Sequence, residues 1–223
     1  MSELVSTPVS QLLELTGPTK DDILNEMEEH GHESGFPTVG TEVGGVLRLC
    51  ARMVDASSVF EFGSGFGYSA YWFASVLPPD GEVILTEIDS DELDLARDFL
   101  ADGDLADRAV FEEGDAIEIV DTHEGPFEVV LIDNEKHRYV EAFEAVRGKV
   151  PVGGMVLADN TMRAGPVVDF DDLRDLLAGG DPADKSEGTR GIAAYIERVR
   201  ADPEFETVLL ALGSGVAVSY RTE

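Results

Sequence analysis

Two short apolar runs end in residues able to do chemistry. Phe127-Glu128-Val129-Val130-Leu131-Ile132 delivers Asp133-Asn134-Glu135-Lys136, and Gly154-Met155-Val156-Leu157-Ala158 delivers Asp159-Asn160. If the runs are adjacent parallel strands, Asp133, Asp159 and Asn160 meet at one rim, in the crevice where open α/β sheets bind ligands. Three such oxygen donors suit a hard divalent cation, Mg²⁺ or Ca²⁺, rather than zinc. Mg²⁺ prefers six ligands, which leaves places for water and substrate. The plainer alternative is that both acids cap turns. Lys136 is one of only four lysines against twelve arginines, so beside two acids it is a candidate general base. Its structural alternative is a salt bridge to Glu135 or Asp133.

A further apolar run, 58–62, leads into Glu61-Phe62-Gly63-Ser64-Gly65-Phe66-Gly67-Tyr68-Ser69. Gly63, Gly65 and Gly67 permit a tight turn that a ligand can approach closely. The spacing G-x-G-x-G differs from the dinucleotide pattern G-x-G-x-x-G, and such turns also serve plain strand–helix packing. Context favours a ligand. Glu87 ends the next strand, 20 residues after Gly67, where an acid accepts hydrogen bonds from a ribose diol. The strand after that ends in Gly114-Asp115-Ala116, a small turn suited to an adenine. An adenosine-containing cofactor follows, and the glycine spacing preceded by Glu61 points to S-adenosylmethionine rather than a nicotinamide. Asp133, at the neighbouring strand end, is counted with the cofactor contacts as well as the metal ligands.

The elements that must position these residues alternate from Ser58 onward. Strands are expected at 58–62, 83–87, 109–113, 128–132 and 154–158, with helices at about 67–77, 90–101, 115–121 and 137–148. This alternation specifies a parallel sheet with helices on both faces. A helix near 190–201 precedes strands at 206–211 and 215–220, whose short connection makes a hairpin and sets one strand antiparallel to the rest. The fold class is thus α/β: a doubly wound, Rossmann-like sheet of seven strands, mostly parallel, in a single domain over 1–223. Helices at 9–15, 21–30 and 41–53 precede the sheet, with an irregular passage at 31–39. The acidic connection 170–189 reads as a surface helix with a solvated loop, or as a lid.

Acidic residues number 46 against 16 basic ones, a net charge of −30, spread along the whole chain. Such a surface repels itself unless salt screens it, and we read it as adaptation to a salt-rich cytoplasm. It makes a nucleic-acid backbone a poor partner. The single cysteine, Cys50, excludes an intrachain disulfide and sits in an apolar run as a buried thiol. With no secretory signal and no run of membrane-spanning length, a soluble cytoplasmic protein is expected, without a membrane partner. His30 and His32 form a pair best read as surface loop, and Trp72 and Phe73 as core.

The motifs E-x-G-S-G-x-G-Y-S, T-E-I-D, G-D-A, F-E-V-V-L-I-D-x-x-K and V-L-A-D-N occur in one order. In that order they resemble the cation-dependent O-methyltransferases, the family of catechol and caffeoyl-CoA O-methyltransferases. The likeness is firm over about 37–168 and resumes at Asp202-Pro203-Glu204-Phe205 and Gly213-Ser214-Gly215-Val216. It implies S-adenosylmethionine held by Gly63, Tyr68, Ser69, Glu87 and the Asp115-Ala116 turn, with Val39 and Gly40 closing over its methionine part. It implies Asp133, Asp159 and Asn160 as metal ligands, with Mg²⁺ the ion expected from their oxygen donors, Lys136 as general base, a small hydroxylated, aromatic acceptor, and a homodimer. Asn134-Glu135 stands where bacterial members usually have Ala-Asp, Thr161-Met162-Arg163 replaces an apolar stretch, and 170–185 looks inserted; all border the acceptor pocket. The rival readings are a metal-independent methyltransferase of RNA or protein, whose best basic cluster is Lys136-His137-Arg138, and a non-catalytic adenosine-nucleoside-binding module.

Overall fold

The computed structural model describes residues 4–223. Seven strands, β1 (Ser58–Phe62), β2 (Glu82–Glu87), β3 (Ala109–Glu113), β4 (Val129–Ile132), β5 (Met155–Ala158), β6 (Phe205–Leu210) and β7 (Val216–Arg221), form one sheet in the order β3-β2-β1-β4-β5-β7-β6. Strands β1 to β5 pair in parallel, while β7 runs antiparallel to both β5 and β6. Chain order reverses between β1 and β4, and that switch opens a crevice at their carboxyl ends. The expected topology and its antiparallel last strand are those observed.

The pleat sorts side chains by parity. Val59, Val83, Leu85, Val129, Leu131 and Leu157 face one buried layer, completed by Leu47, Trp72, Phe73, Leu93 and Leu100. Phe60, Phe62, Ile84, Val130, Ile132 and Val156 face the other, completed by Val120, Phe143, Tyr195 and Ile196. The helices of the first layer are α2 (Asp22–Ser34), α3 (Thr41–Met53), α4 (Tyr68–Ala74) and α5 (Ser90–Asp102), after the exposed α1 (Thr7–Thr16). The second layer carries α6 (Ala116–Val120), α7 (Tyr139–Val146) and α9 (Glu187–Ala201), with α8 (Phe170–Leu177) packed on α9.

Several boundaries differ from expectation, each with a local cause. Helix α2 continues through Gly31, which packs closely against Thr38 and Phe66, and stops at Gly35 in the left-handed conformation. The irregular passage therefore shrinks to the residues just before α3. Helix α9 starts three residues early because the Ser186 hydroxyl accepts from the Thr189 amide. The helix expected at 137–148 is a 3-10 turn, Lys136–Arg138, followed by α7 and a closing 3-10 turn, Arg147–Lys149. Segment 170–185 is a surface helix and loop, with Lys185 tied to Asp172 and Asp175. His30 packs edge-on against Phe66 and Phe99 while His32 is exposed, so the pair is divided between packing and solvent. Among the described residues no helix is long and apolar enough to cross a membrane.

Only three acids among the described residues, Glu61, Asp159 and Asp202, are buried. The others lie at or near the surface, where their mutual repulsion depends on screening. The Debye length is about 10 Å at 0.1 M salt and about 3 Å at 1 M. The thermal midpoint is therefore expected to fall as KCl is lowered from molar to millimolar concentration. A flat or rising midpoint would overturn the salt-adaptation reading.

Candidate functional site

The carboxyl ends of β1 to β5 open into one cavity of about 1150 Å³. Its floor is the turn after β1. Gly63 and Gly65 have φ of 80° and 49°, a region costly for any residue with a Cβ. A Cβ on Gly63 would meet the Asp133 carbonyl at 3.0 Å, and one on Gly65 would meet the Phe36 ring at 2.5 Å. The turn is thus pressed between the end of β4 and the segment before α3. Glu87 braces it from β2: one carboxylate oxygen accepts from the Gly65 amide at 2.8 Å, the other from the Ile88 and Asp89 amides at 2.8 and 3.1 Å. Beyond β3, Asp115 caps α6 by accepting from the Ile117 amide at 2.9 Å.

Of the residues expected at the cofactor, Val39, Gly63, Gly65, Tyr68, Ser69, Glu87, Asp115, Ala116 and Asp133 line the cavity. Glu61, Gly40 and Gly67 lie behind its wall. Parity in β1 turns Glu61 towards α4, where it is fully buried and accepts from the Ser69 hydroxyl. Its other oxygen has no partner, and burial pushes its pKa up to about 8. Gly40 and Gly67 immediately precede α3 and α4 and shape the backbone there.

The oxygen donors converge at the other side of the switch. Asp133, Asp159 and Asn160 all line the cavity, because β4 and β5 pair with Ile132 opposite Ala158. Asp159 is 3% exposed and one of its carboxylate oxygens has no partner. Burial, and then the nearby charge of Asp133, push the Asp159 pKa up to about 8. A buried acid with an orphaned oxygen facing a second acid is the arrangement a divalent cation relieves, so these residues fit such an ion. Lys136 supplies a competing positive charge. Its Nζ donates to Asp133 Oδ1 at 2.7 Å, to the Tyr139 hydroxyl at 2.8 Å and to the Asn134 carbonyl at 3.1 Å. Tyr139 in turn donates to the Asp159 carbonyl at 3.0 Å. Of the two salt-bridge partners considered for Lys136, the structure shows Asp133.

Sequence reading missed three contributors. Tyr139 joins Lys136 to β5, and its signal was the three-residue spacing from Lys136 into the next helix. Ala164–Val167 and Ser186–Gly188 add a further wall to the cavity, joined where the Ser186 hydroxyl donates to the Val167 carbonyl at 2.6 Å. The third is Arg138, read from sequence only as part of a basic cluster. It is committed to Asp115 at 2.7 Å and Glu141 at 2.8 Å. With Lys136 on Asp133 as well, the cluster offers little free charge to a phosphate backbone.

A family model described as O-methyltransferase matches residues 14–222. The chain belongs to the O-methyltransferase family. Among relatives of this O-methyltransferase, a catechol O-methyltransferase of Niastella koreensis is 29% identical over 86% of the chain and 90% of its own length. A caffeoyl-CoA O-methyltransferase of Eucalyptus gunnii is 25% identical over 92% of the chain and 83% of its own length. An O-methyltransferase structure from Bacillus cereus, in complex with S-adenosylhomocysteine, superposes with a TM-score of 0.83 at 24% identity, covering 97% of this chain and 98% of that one. One from Streptomyces achromogenes, with S-adenosylmethionine bound, gives 0.80 at 23% identity, covering 96% and 95%. These two structures establish the likeness of fold. The seven-stranded sheet of this O-methyltransferase has the Rossmann-like architecture that these structures share.

Proposed function

We propose that this O-methyltransferase transfers the methyl group of S-adenosylmethionine to one hydroxyl of a small aromatic acceptor carrying vicinal oxygens, with a hard divalent cation such as Mg²⁺ at Asp133, Asp159 and Asn160. The observation that carries the reading is one cavity floored on one side by the glycine turn, Glu87 and Asp115, and on the other by Asp133, Asp159, Asn160 and Lys136. The relatives named for catechol and caffeoyl-CoA support the acceptor class.

The protein's share of the reaction is mainly placement. The glycine turn admits the cofactor close to the backbone, and Glu87, already accepting from three amides, keeps one acceptor site, on the oxygen that holds Gly65, for a ribose hydroxyl. Val39 and Phe36 cover the methionine side. A divalent cation in the oxygen set supplies positive charge that holds the acceptor oxygens and lowers the pKa of the reacting hydroxyl. Ala164–Val167 and Gly188 offer small and apolar surface for a ring. Lys136 Nζ, in the neutral form, takes the hydroxyl proton as the oxygen attacks the methyl carbon; the sulfur–methyl bond breaks with its electron pair going to sulfur, and S-adenosylhomocysteine leaves.

Titration calorimetry tests the cofactor half. Glu87→Ala is expected to weaken S-adenosylmethionine binding by about 1.5–3 kcal/mol, the range for hydrogen bonds to a charged group. Unchanged affinity in a folded variant would remove Glu87 from the site, and tight binding of NAD by the wild type would overturn the cofactor.

A further inference from the structure

Arg138 shares a three-residue turn with Lys136 but reaches a different part of the cavity. Lys136 points to Asp133 at the end of β4, whereas the Arg138 guanidinium donates to Asp115 Oδ2 at 2.7 Å, in the turn after β3. In the sheet order, β2 and β1 lie between those two strands. The other Asp115 oxygen accepts from the Ile117 amide, so both carboxylate oxygens are fixed. On its other side Arg138 Nε donates to Glu141 at 2.8 Å, an exposed residue outside the cavity lining. A planar guanidinium can hold two carboxylates in separate directions at once, which a lysine ammonium does with less geometric definition.

We infer that Arg138 is a positioning residue for the cofactor: it fixes Asp115, and with it the Gly114–Ala116 turn, against the element that carries Lys136. The inference rests on the proposed placement of the adenine at that turn. Two contacts tie the 136–138 turn to the strand ends that line the cavity, Lys136 to Asp133 at its start and Arg138 to Asp115 at its end. The adenosine and the proton acceptor are thereby registered to one another through the three residues of that turn. This goes beyond a salt bridge that merely stabilises the fold, because the partner that matters lines the cavity and the partner that does not, Glu141, faces away from it.

Calorimetry with S-adenosylhomocysteine, which needs no acceptor, reads the effect. Arg138→Gln is expected to raise its Kd about tenfold, and Arg138→Lys to recover most of the loss. Asp115→Asn should weaken binding similarly, and the double variant should be little worse than either single one, since both remove the same contact. Glu141→Gln should leave the affinity unchanged. Unchanged affinity in folded Arg138→Gln, full additivity with Asp115→Asn, or an equal loss in Glu141→Gln would each overturn the positioning role. Glu87→Ala separates the two claims. If it weakens binding while Arg138→Gln does not, the inference alone fails; if the wild type does not bind S-adenosylhomocysteine, the proposed function fails with it.

Discussion

Asp159→Ala is expected to abolish turnover while leaving S-adenosylhomocysteine affinity close to that of the wild type. The asymmetry comes from where the carboxylate stands. Asp159 follows β5, on the far side of β4 from the glycine turn, and its orphaned oxygen is shared with no residue expected at the cofactor. Its loss removes one of three donors from the cation set, and with it the means of holding acceptor oxygens against the methyl group. Chelation of divalent cations should reproduce the defect in the wild type, and added Mg²⁺ should reverse it there but not in the variant. Asp133→Ala should also be inactive, but its side effect is larger, because it strips Lys136 of its closest acceptor. Asp159→Asn, which keeps the volume, guards against a folding artefact. Turnover that survives both chelation and the Asp159 variants would make the reaction cation-independent and reduce the two acids to a structural role.

Lys136→Ala is expected to lower the rate by roughly 10²–10⁴, the usual contribution of a positioned general base, with cofactor affinity retained. In the structure the Lys136 ammonium donates to three oxygens, and a protonated lysine has no acceptor site to offer. The base must therefore be the neutral amine, which separates it from the salt bridge it makes with Asp133. Lys136→Arg distinguishes the two roles. Arginine keeps the positive charge and can pair with Asp133, yet it does not deprotonate in proteins. If proton removal is the role, Arg should be as inactive as Ala under single-turnover conditions. Restoration by Arg would make charge pairing with Asp133 the whole contribution, leaving hydroxyl activation to other groups.

Much of this was legible without coordinates because it depends on local chemistry. Short Val/Ile/Leu runs alternating with amphipathic stretches can satisfy their backbone and bury both faces in few ways, so the parallel sheet and its closing hairpin followed from periodicity. The strand ends were legible for the same reason: Asp133 and Asp159 are each the first polar residue after an apolar run, and Glu87 and Asp115 follow such a run within a few residues. Helix boundaries were less legible. Ser186 and Gly35 do carry recognisable cap chemistry, but the length of α2 depended on whether Gly31 could pack against Phe66, and that contact spans 35 residues of chain.

By itself, then, the sequence determined the fold class, the strand ends that bear chemistry, the glycine turn and the family, because each rests on residue type, order and spacing. Only the tertiary structure decided how those groups share their charges. Whether Lys136 would turn to Glu135 or to Asp133 depended on the 3-10 turn that carries it, and Tyr139 became its neighbour through the same geometry. Glu61 looked like a cofactor contact until the parity of β1 buried it under α4. Arg138 looked like part of a basic patch until the packing of α6 against α7 set Asp115 against it. Electrostatic partners lie within a few ångströms but can be any distance apart along the chain, so pairing is a property of the packed molecule and not of its spacing.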